Sequence, residues 1–237
     1  EYLIPKPFDP RLITELAPAV AEAAMKSGVA DRPLPNLGEY RENLSRYVFQ
    51  SVLLMRPMYE KAKNSQSIVA YADGENETIL RAVQTVVDDG LARPLLVGRP
   101  DVIELKIRTL GLRLRKEDDF DCFAPEANAR YARFVQLYHE LMCRKGVSKR
   151  DAHEIVRSNN TVIASLLLRE GVVDSMLCGM VGEYRDHLRH IEQIVAPVSE
   201  DHSMSSVSAL VLRKGTFFIS DAYVHAEPTV DQLVEGT

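Results

Sequence analysis

From Ser67 onward, short apolar runs and amphipathic stretches take turns along the chain. SIVAYAD (67–73) reads as a strand, and Glu77–Gly90 has helical spacing and stops at a glycine. PLLVG (94–98) is a second strand, followed by a helix over Val102–Leu110. The spacing predicts further helices over 125–144, 149–156, 162–170 and 184–195, with a short buried strand, SMLCG, at 175–179. Segments 207–213 and 216–221 form a strand pair closed by Lys214-Gly215. Strands alternating with helices need crossover connections, which place helices on both faces of a parallel sheet. The expected class is therefore α/β: a mostly parallel sheet with helices on both faces.

A helical tail precedes this region. Asp9-Pro10 supplies an N-cap acceptor and a proline for the first turn, and apolar residues recur from Leu12 to Ala23 before Gly28. Pro18 is expected to break or kink that helix. DRPLPNLG (31–38), with two prolines and a glycine, is the best linker in the chain. The organisation read from this is a tail over 1–30, a linker over 31–38 and a domain over 39–237. The domain begins with a long helix to about Lys63, kinked at Pro57. There is no initiator methionine and no basic-then-apolar leader, so the chain is expected to be a piece of a longer protein without a signal peptide.

Composition narrows the function classes. With 46% hydrophobic and 27% charged residues, the 237-residue chain is expected to pack as a globular protein. The net charge of −5 argues against a general nucleic-acid surface. No run reaches the roughly 18 apolar residues that a membrane helix needs. Cys122, Cys143 and Cys178 are odd in number and far apart, which suggests neither a disulfide framework nor a CxxC metal site. A reducing cytoplasm fits that usage.

The candidate site residues fall at turns. Asp73-Gly74-Glu75-Asn76 ends the first strand and opens a helix, the edge where open α/β sheets bind ligands. An ordinary turn with a solvated carboxylate accounts for the same residues. Cys178-Gly179-Met180-Val181-Gly182 is a second such turn, whose glycines allow close backbone approach to a phosphate or pantetheine, or simply tight strand–helix packing. Cys178 has no evident base partner and reads as a buried small residue. Arg144-Lys145, with Lys149 and Arg150 close behind, is a candidate phosphate cluster, or a set of cations suited to a helix C-terminus. Arg99 is a weaker candidate of the same kind. His187 and His190 share a helix face with Glu183 and Asp186 nearby, but no metallohydrolase motif accompanies them. His202 and His225 are isolated. Neither a Walker A loop nor a nucleophile elbow occurs.

Taken in order, these segments resemble the N-terminal part of the phosphate acetyltransferase (phosphotransacetylase) family. The resemblance rests on Asp73-Gly74-Glu75, LARPLLVGRP (91–100), RKGVSKRDA (144–152), the Gly171–Gly182 turn and GTFFISDAYVHAEPTVDQL (215–233). YLIPKPFDPRLITELAPAVAEAAMKSGVA is similar to the end of the catalytic region of bacterial malic enzymes. Tail, linker and transacetylase-like domain, in that order, are the plan of the hybrid NADP-dependent malic enzymes. The resemblance implies a parent that converts malate to pyruvate and CO2 with NADP and a divalent metal (Mg or Mn), chemistry that lies upstream of residue 1. It implies an appended domain that binds acetyl-CoA as an effector and drives self-association. Gly74, Glu75, Cys178, Gly179, Gly182, Arg144 and Lys145 are the expected acetyl-CoA or phosphate contacts. Two departures set the chain apart from an active transacetylase. Asp174-Ser175 stands where Asp-Gly is usual, and the turn after Cys178 lacks a Ser/Thr-rich run. The Ser, Arg and Asp that would activate the thiolate belong beyond Thr237. An active phosphate acetyltransferase and a purely structural oligomerisation domain are the alternatives.

Overall fold

The computed structural model describes residues 12–125, 128–195, 204–212, 214–221 and 223–236, apart from the side chains of 46–54, 56 and 235. They belong to two compact units, Glu60–Met204 and a second formed by Glu1–Tyr59 with Ser205–Thr237. That division falls inside a helix.

In the Glu60–Met204 unit, four strands form one parallel sheet: β1 (Ile68–Tyr71), β2 (Arg93–Val97), β3 (Asp121–Phe123) and β4 (Ser175–Leu177), in the order β3-β2-β1-β4. Side chains alternate across a strand, and both faces are apolar. Ala70, Ala72, Leu95, Val97 and Phe123 point to one core, shared with α5 (Tyr131–Met142), α6 (Lys149–Ser158) and α7 (Asn160–Arg169). Tyr71 and Leu96 point to the other, against α3 (Glu77–Asp88) and α4 (Pro100–Thr109). The expected α/β class with helices on both faces is what the chain adopts.

β3 was not anticipated from the sequence. It is three residues long and begins with Asp121, whose carboxylate takes two hydrogen bonds from Arg93 at 2.8 and 3.1 Å. Backbone pairing with β2 and this ion pair, rather than an apolar run, define it. α7 is buried over Thr161–Leu167, a central helix between sheet and neighbours. α8 (Tyr184–Ile194) follows β4 after the glycine turn.

In the other unit, a π-helical turn over Leu12–Leu16 leads into α1 (Ala17–Lys26). Pro18 sits in the first turn of α1 directly after the π-helical turn, so the chain stays helical through it rather than breaking there. Asp9 and Pro10 lie outside the described residues. α2 runs from Leu37 to Ser65, across the division between the units, with Pro57 inside it. Its start is capped by Asn36, whose Oδ1 accepts from the N–H groups of Gly38 and Glu39 at 2.9 and 3.1 Å. β5 (Val207–Leu212) and β6 (Gly215–Ser220) pair antiparallel, as expected. α9 (Val230–Glu235), unanticipated, is started by a capping box between Thr229 and Gln232.

Candidate functional site

The strand order places a topological switch point between β1 and β4. The chain steps from β1 to β2 to β3 on one side, then returns to lay β4 on the other. Crevices at the carboxyl ends of strands around such a point are where ligands bind in α/β sheets. The two glycine turns singled out in the sequence meet here. Asp73 follows β1, and its Oδ2 accepts from the N–H of Met180, in the turn after β4, at 3.1 Å.

Packing demands glycine at two places in this region. A Cβ on Gly74 would stand 2.7 Å from the Val97 carbonyl oxygen and 2.9 Å from the Leu96 Cβ. On Gly182, at φ +105°, a Cβ would meet the His187 Nε2 at 3.0 Å. Tight packing against β2 accounts for Gly74, and the left-handed φ, with the His187 ring close by, for Gly182.

His187 latches the β4–α8 turn. Its Nε2 lies 2.8 Å from the Val181 carbonyl and its Nδ1 2.8 Å from the Thr161 Oγ1. In the neutral ring a carbonyl requires Nε2–H, so the threonine hydroxyl donates to Nδ1. Thr161 is buried on α7 and also lies beside Cys178, whose thiol burial pushes above its ordinary value. A thiol held protonated in this way is a poor nucleophile. His190, one turn on, has a buried Nδ1 without a hydrogen-bond partner, and burial pulls its ring below the usual imidazole value.

A cavity of about 330 Å³ opens beside this latch, lined by Asp73, Asn159, Asn160, Thr161, Gly182 and His187 among others. A second, of about 420 Å³, opens at the ends of β2 and β3 and is lined by Glu75, Gly98, Arg99, Arg157 and Asn160 among others. Here Glu75 takes a forked ion pair from Arg99 (2.9 and 2.8 Å) and the Arg99 backbone N–H (2.9 Å). The guanidinium holds the Glu75 carboxyl below the usual carboxylate range. The Lys106 ammonium donates to the Glu75 carbonyl at 2.8 Å. Glu75 thus braces the β2–α4 turn, which the sequence did not foretell.

Of the seven residues the sequence singled out, Glu75 and Gly182 line the cavities, and Gly74, Cys178 and Gly179 lie in the turns beside them. Arg144 and Lys145 form a 3-10 turn at the other end of α6. Its ten residues separate that turn from Ser158 at the first cavity, which is ~15 Å of helix. The sequence reading missed Thr161, Asn159, Asn160 and Arg157. His225 is not isolated: its Nδ1 lies 3.0 Å from Oδ1 of the buried Asp221. His202 lies outside the described residues. Among the described residues no cluster of His, Cys, Asp and Glu is placed to hold a metal, and no helix is long and apolar enough to cross a membrane.

Comparison with known proteins identifies the family. The profile of the phosphate acetyl/butaryl transferases matches residues 53–237. The chain belongs to this family. It is 42% identical over 238 residues to the NAD-dependent malic enzyme of Rhizobium meliloti and 44% identical over 237 residues to the NADP-dependent malic enzyme of Haemophilus influenzae. All of this chain but only 31% of each relative is covered, so it spans about a third of their length. A phosphotransacetylase from Streptococcus pyogenes shares the fold, with a TM-score of 0.68 at 20% identity over 77% of this chain and 55% of its own. The resemblance read from the residues, a transacetylase-like domain of the kind found in malic enzymes, is therefore correct.

Proposed function

We propose that this chain is the acetyl-CoA-sensing and self-associating domain of a malic enzyme, and that it regulates malate oxidation rather than transferring acetyl groups. The observation that carries this reading is the state of the groups at the switch-point crevice. Both His187 nitrogens are engaged in holding the turn, the Asp73 carboxylate accepts from Met180, and the Cys178 thiol is raised. Among the described residues, then, these groups are held by the turn rather than poised toward a substrate for general acid–base or nucleophilic work. Here they are spent on shaping a cavity, which suits binding. Similarity over the whole of this chain, though over only 31% of each relative, to malic enzymes of two coenzyme specificities supports the parent activity and leaves NADP against NAD to the region outside this chain. No metal is assigned to the residues described. Exposed Phe217 and Phe218 on β6 support self-association.

Calorimetric titration of acetyl-CoA into the full-length polypeptide, with CoA release in the presence of phosphate followed in parallel, tests the reading. Saturable binding without CoA release is expected. Phosphate-dependent release would make the protein an acetyltransferase, and absence of binding would leave only the structural role.

A further inference from the structure

A third cavity, of about 220 Å³, lies away from the crevice. α4 leaves the carboxyl end of β2 at Pro100, so its later turns run towards the amino ends of the strands. Glu104, Ile107 and Arg108 of those turns line the cavity with Leu114, Lys116 and Phe120, which precede β3. Its floor is apolar: Ile107, Leu114 and Phe120 are at most 6% exposed and belong to the core that β2 shares with α3 and α4. Its wall is held in shape. The Glu117 N–H donates to the Phe120 carbonyl at 2.8 Å, and the Arg115 N–H to the Asp119 carboxylate at 2.8 Å.

We propose that this cavity binds a small monocarboxylate with an apolar body, about the size of benzoate. This stands apart from the acyl-CoA reading and does not rest on it.

Charge and size set the ligand class. The rim carries two cations, Arg108 and Lys116, and one carboxylate, Glu104. Lys116 Nζ lies 3.8 Å from Glu104 Oε1, a loose pair that offsets one cation. Arg108 gives its Nε–H to the Glu104 carbonyl at 3.3 Å and has no acidic partner among the described residues, so most of its fork is left for an acceptor. One positive charge therefore remains, and a carboxylate matches it in sign and in geometry. Glu117, Asp118 and Asp119 of the adjoining turn, and Asp121, which is paired with Arg93, do not line the cavity, and solvent screens their charge. An apolar cavity of about 150 Å³ already accepts a benzene ring. The space here admits a ring or a short chain against Ile107, Leu114 and Phe120, with the carboxylate at the rim.

Equilibrium dialysis of the full-length polypeptide against labelled benzoate, with hexanoate as a second probe, tests the site. Benzamide keeps the ring without the charge, and acetate keeps the charge without the body. Saturable binding of benzoate or hexanoate is expected, with benzamide and acetate at least about tenfold weaker. Arg108→Gln is expected to weaken the two carboxylates about tenfold, and benzamide less than about twofold. Glu104→Gln removes the one carboxylate of the rim and releases Lys116, so it is expected to tighten both carboxylates. Saturating acetyl-CoA should leave benzoate bound. No saturable binding of either probe, equal affinity for benzoate and benzamide, or unchanged carboxylate affinity in Arg108→Gln would each overturn the proposal. Displacement of benzoate by acetyl-CoA would place it in the crevice and overturn the proposal as well.

Discussion

Replacing Gly74 with alanine puts the packing at the switch point to a direct test. The added methyl would lie 2.7 Å from the Val97 carbonyl oxygen, 2.9 Å from the Leu96 Cβ and 3.0 Å from the Val97 nitrogen. Two of these atoms are backbone of β2, a buried strand paired on both sides, so they cannot swing away. The same shift strains the bond from the Gly74 N–H to the Val97 carbonyl, at 3.2 Å. Overpacking of this kind costs ~1–3 kcal/mol, and contact with fixed backbone places it at the upper end. Reduced freedom of the unfolded chain returns only ~0.5 kcal/mol. A net loss of ~2.5 kcal/mol corresponds to a fall in urea midpoint of about 1 M at a slope of ~2 kcal/mol/M. Gly90→Ala is the control. Gly90 has open space around its Cβ position but φ +63°, so only left-handed strain, about 1 kcal/mol, is expected. Urea unfolding followed by circular dichroism reads both variants. A Gly74→Ala midpoint no lower than that of Gly90→Ala would refute the claim that β2 backbone dictates glycine there.

Three further outcomes follow from the residues around the crevice. Thr161→Val removes the hydroxyl that serves the His187 Nδ1 and should cost about 1–2 kcal/mol, with faster amide exchange over 178–183; Thr161→Ser should restore protection, and unchanged exchange would mean that His187 does not hold the turn. Burial lowers the His190 pKa, so below about pH 6.5 the unfolded chain binds a proton that the folded chain resists. Stability contributed by the neutral ring is thus lost as the pH falls from about 6.5 through the depressed folded value. His190→Asn should flatten urea stability between about pH 7 and 5, and an unchanged slope would show that His190 is not the group concerned. Glu75 acts in a lower window, its depressed value stabilising above the usual carboxylate pKa and failing as the pH drops through the folded one.

What the residues alone disclosed follows physical lines. β1, β2 and their helices were legible because apolar runs and 3.6-residue spacing are local signals; β4 was found too, but it was read as buried and is an edge strand with Ser175 and Leu177 exposed. β3 was not, because Asp121-Cys122-Phe123 is held by Arg93 and by pairing with β2, which are distant in sequence. Glycine turns marked the crevice, since close backbone approach leaves few other choices. The polar lining from Asn159 to Thr161 was hidden in a helix junction whose only local sign is an N-cap asparagine. Arg144 and Lys145 show how a local cluster leaves its place in the fold open. Their clustering is a strong local pattern, yet the fold carries it to the far end of α6.

The central claim, regulation through acetyl-CoA, implies reciprocity between two sites. The decisive measurement is acetyl-CoA affinity in the full-length polypeptide with and without saturating malate, beside malate affinity with and without acetyl-CoA. The account predicts that each ligand weakens the other by the same factor, roughly 5–150-fold for couplings of this kind. Acetyl-CoA affinity indifferent to malate, with malate binding indifferent to acetyl-CoA, would contradict it.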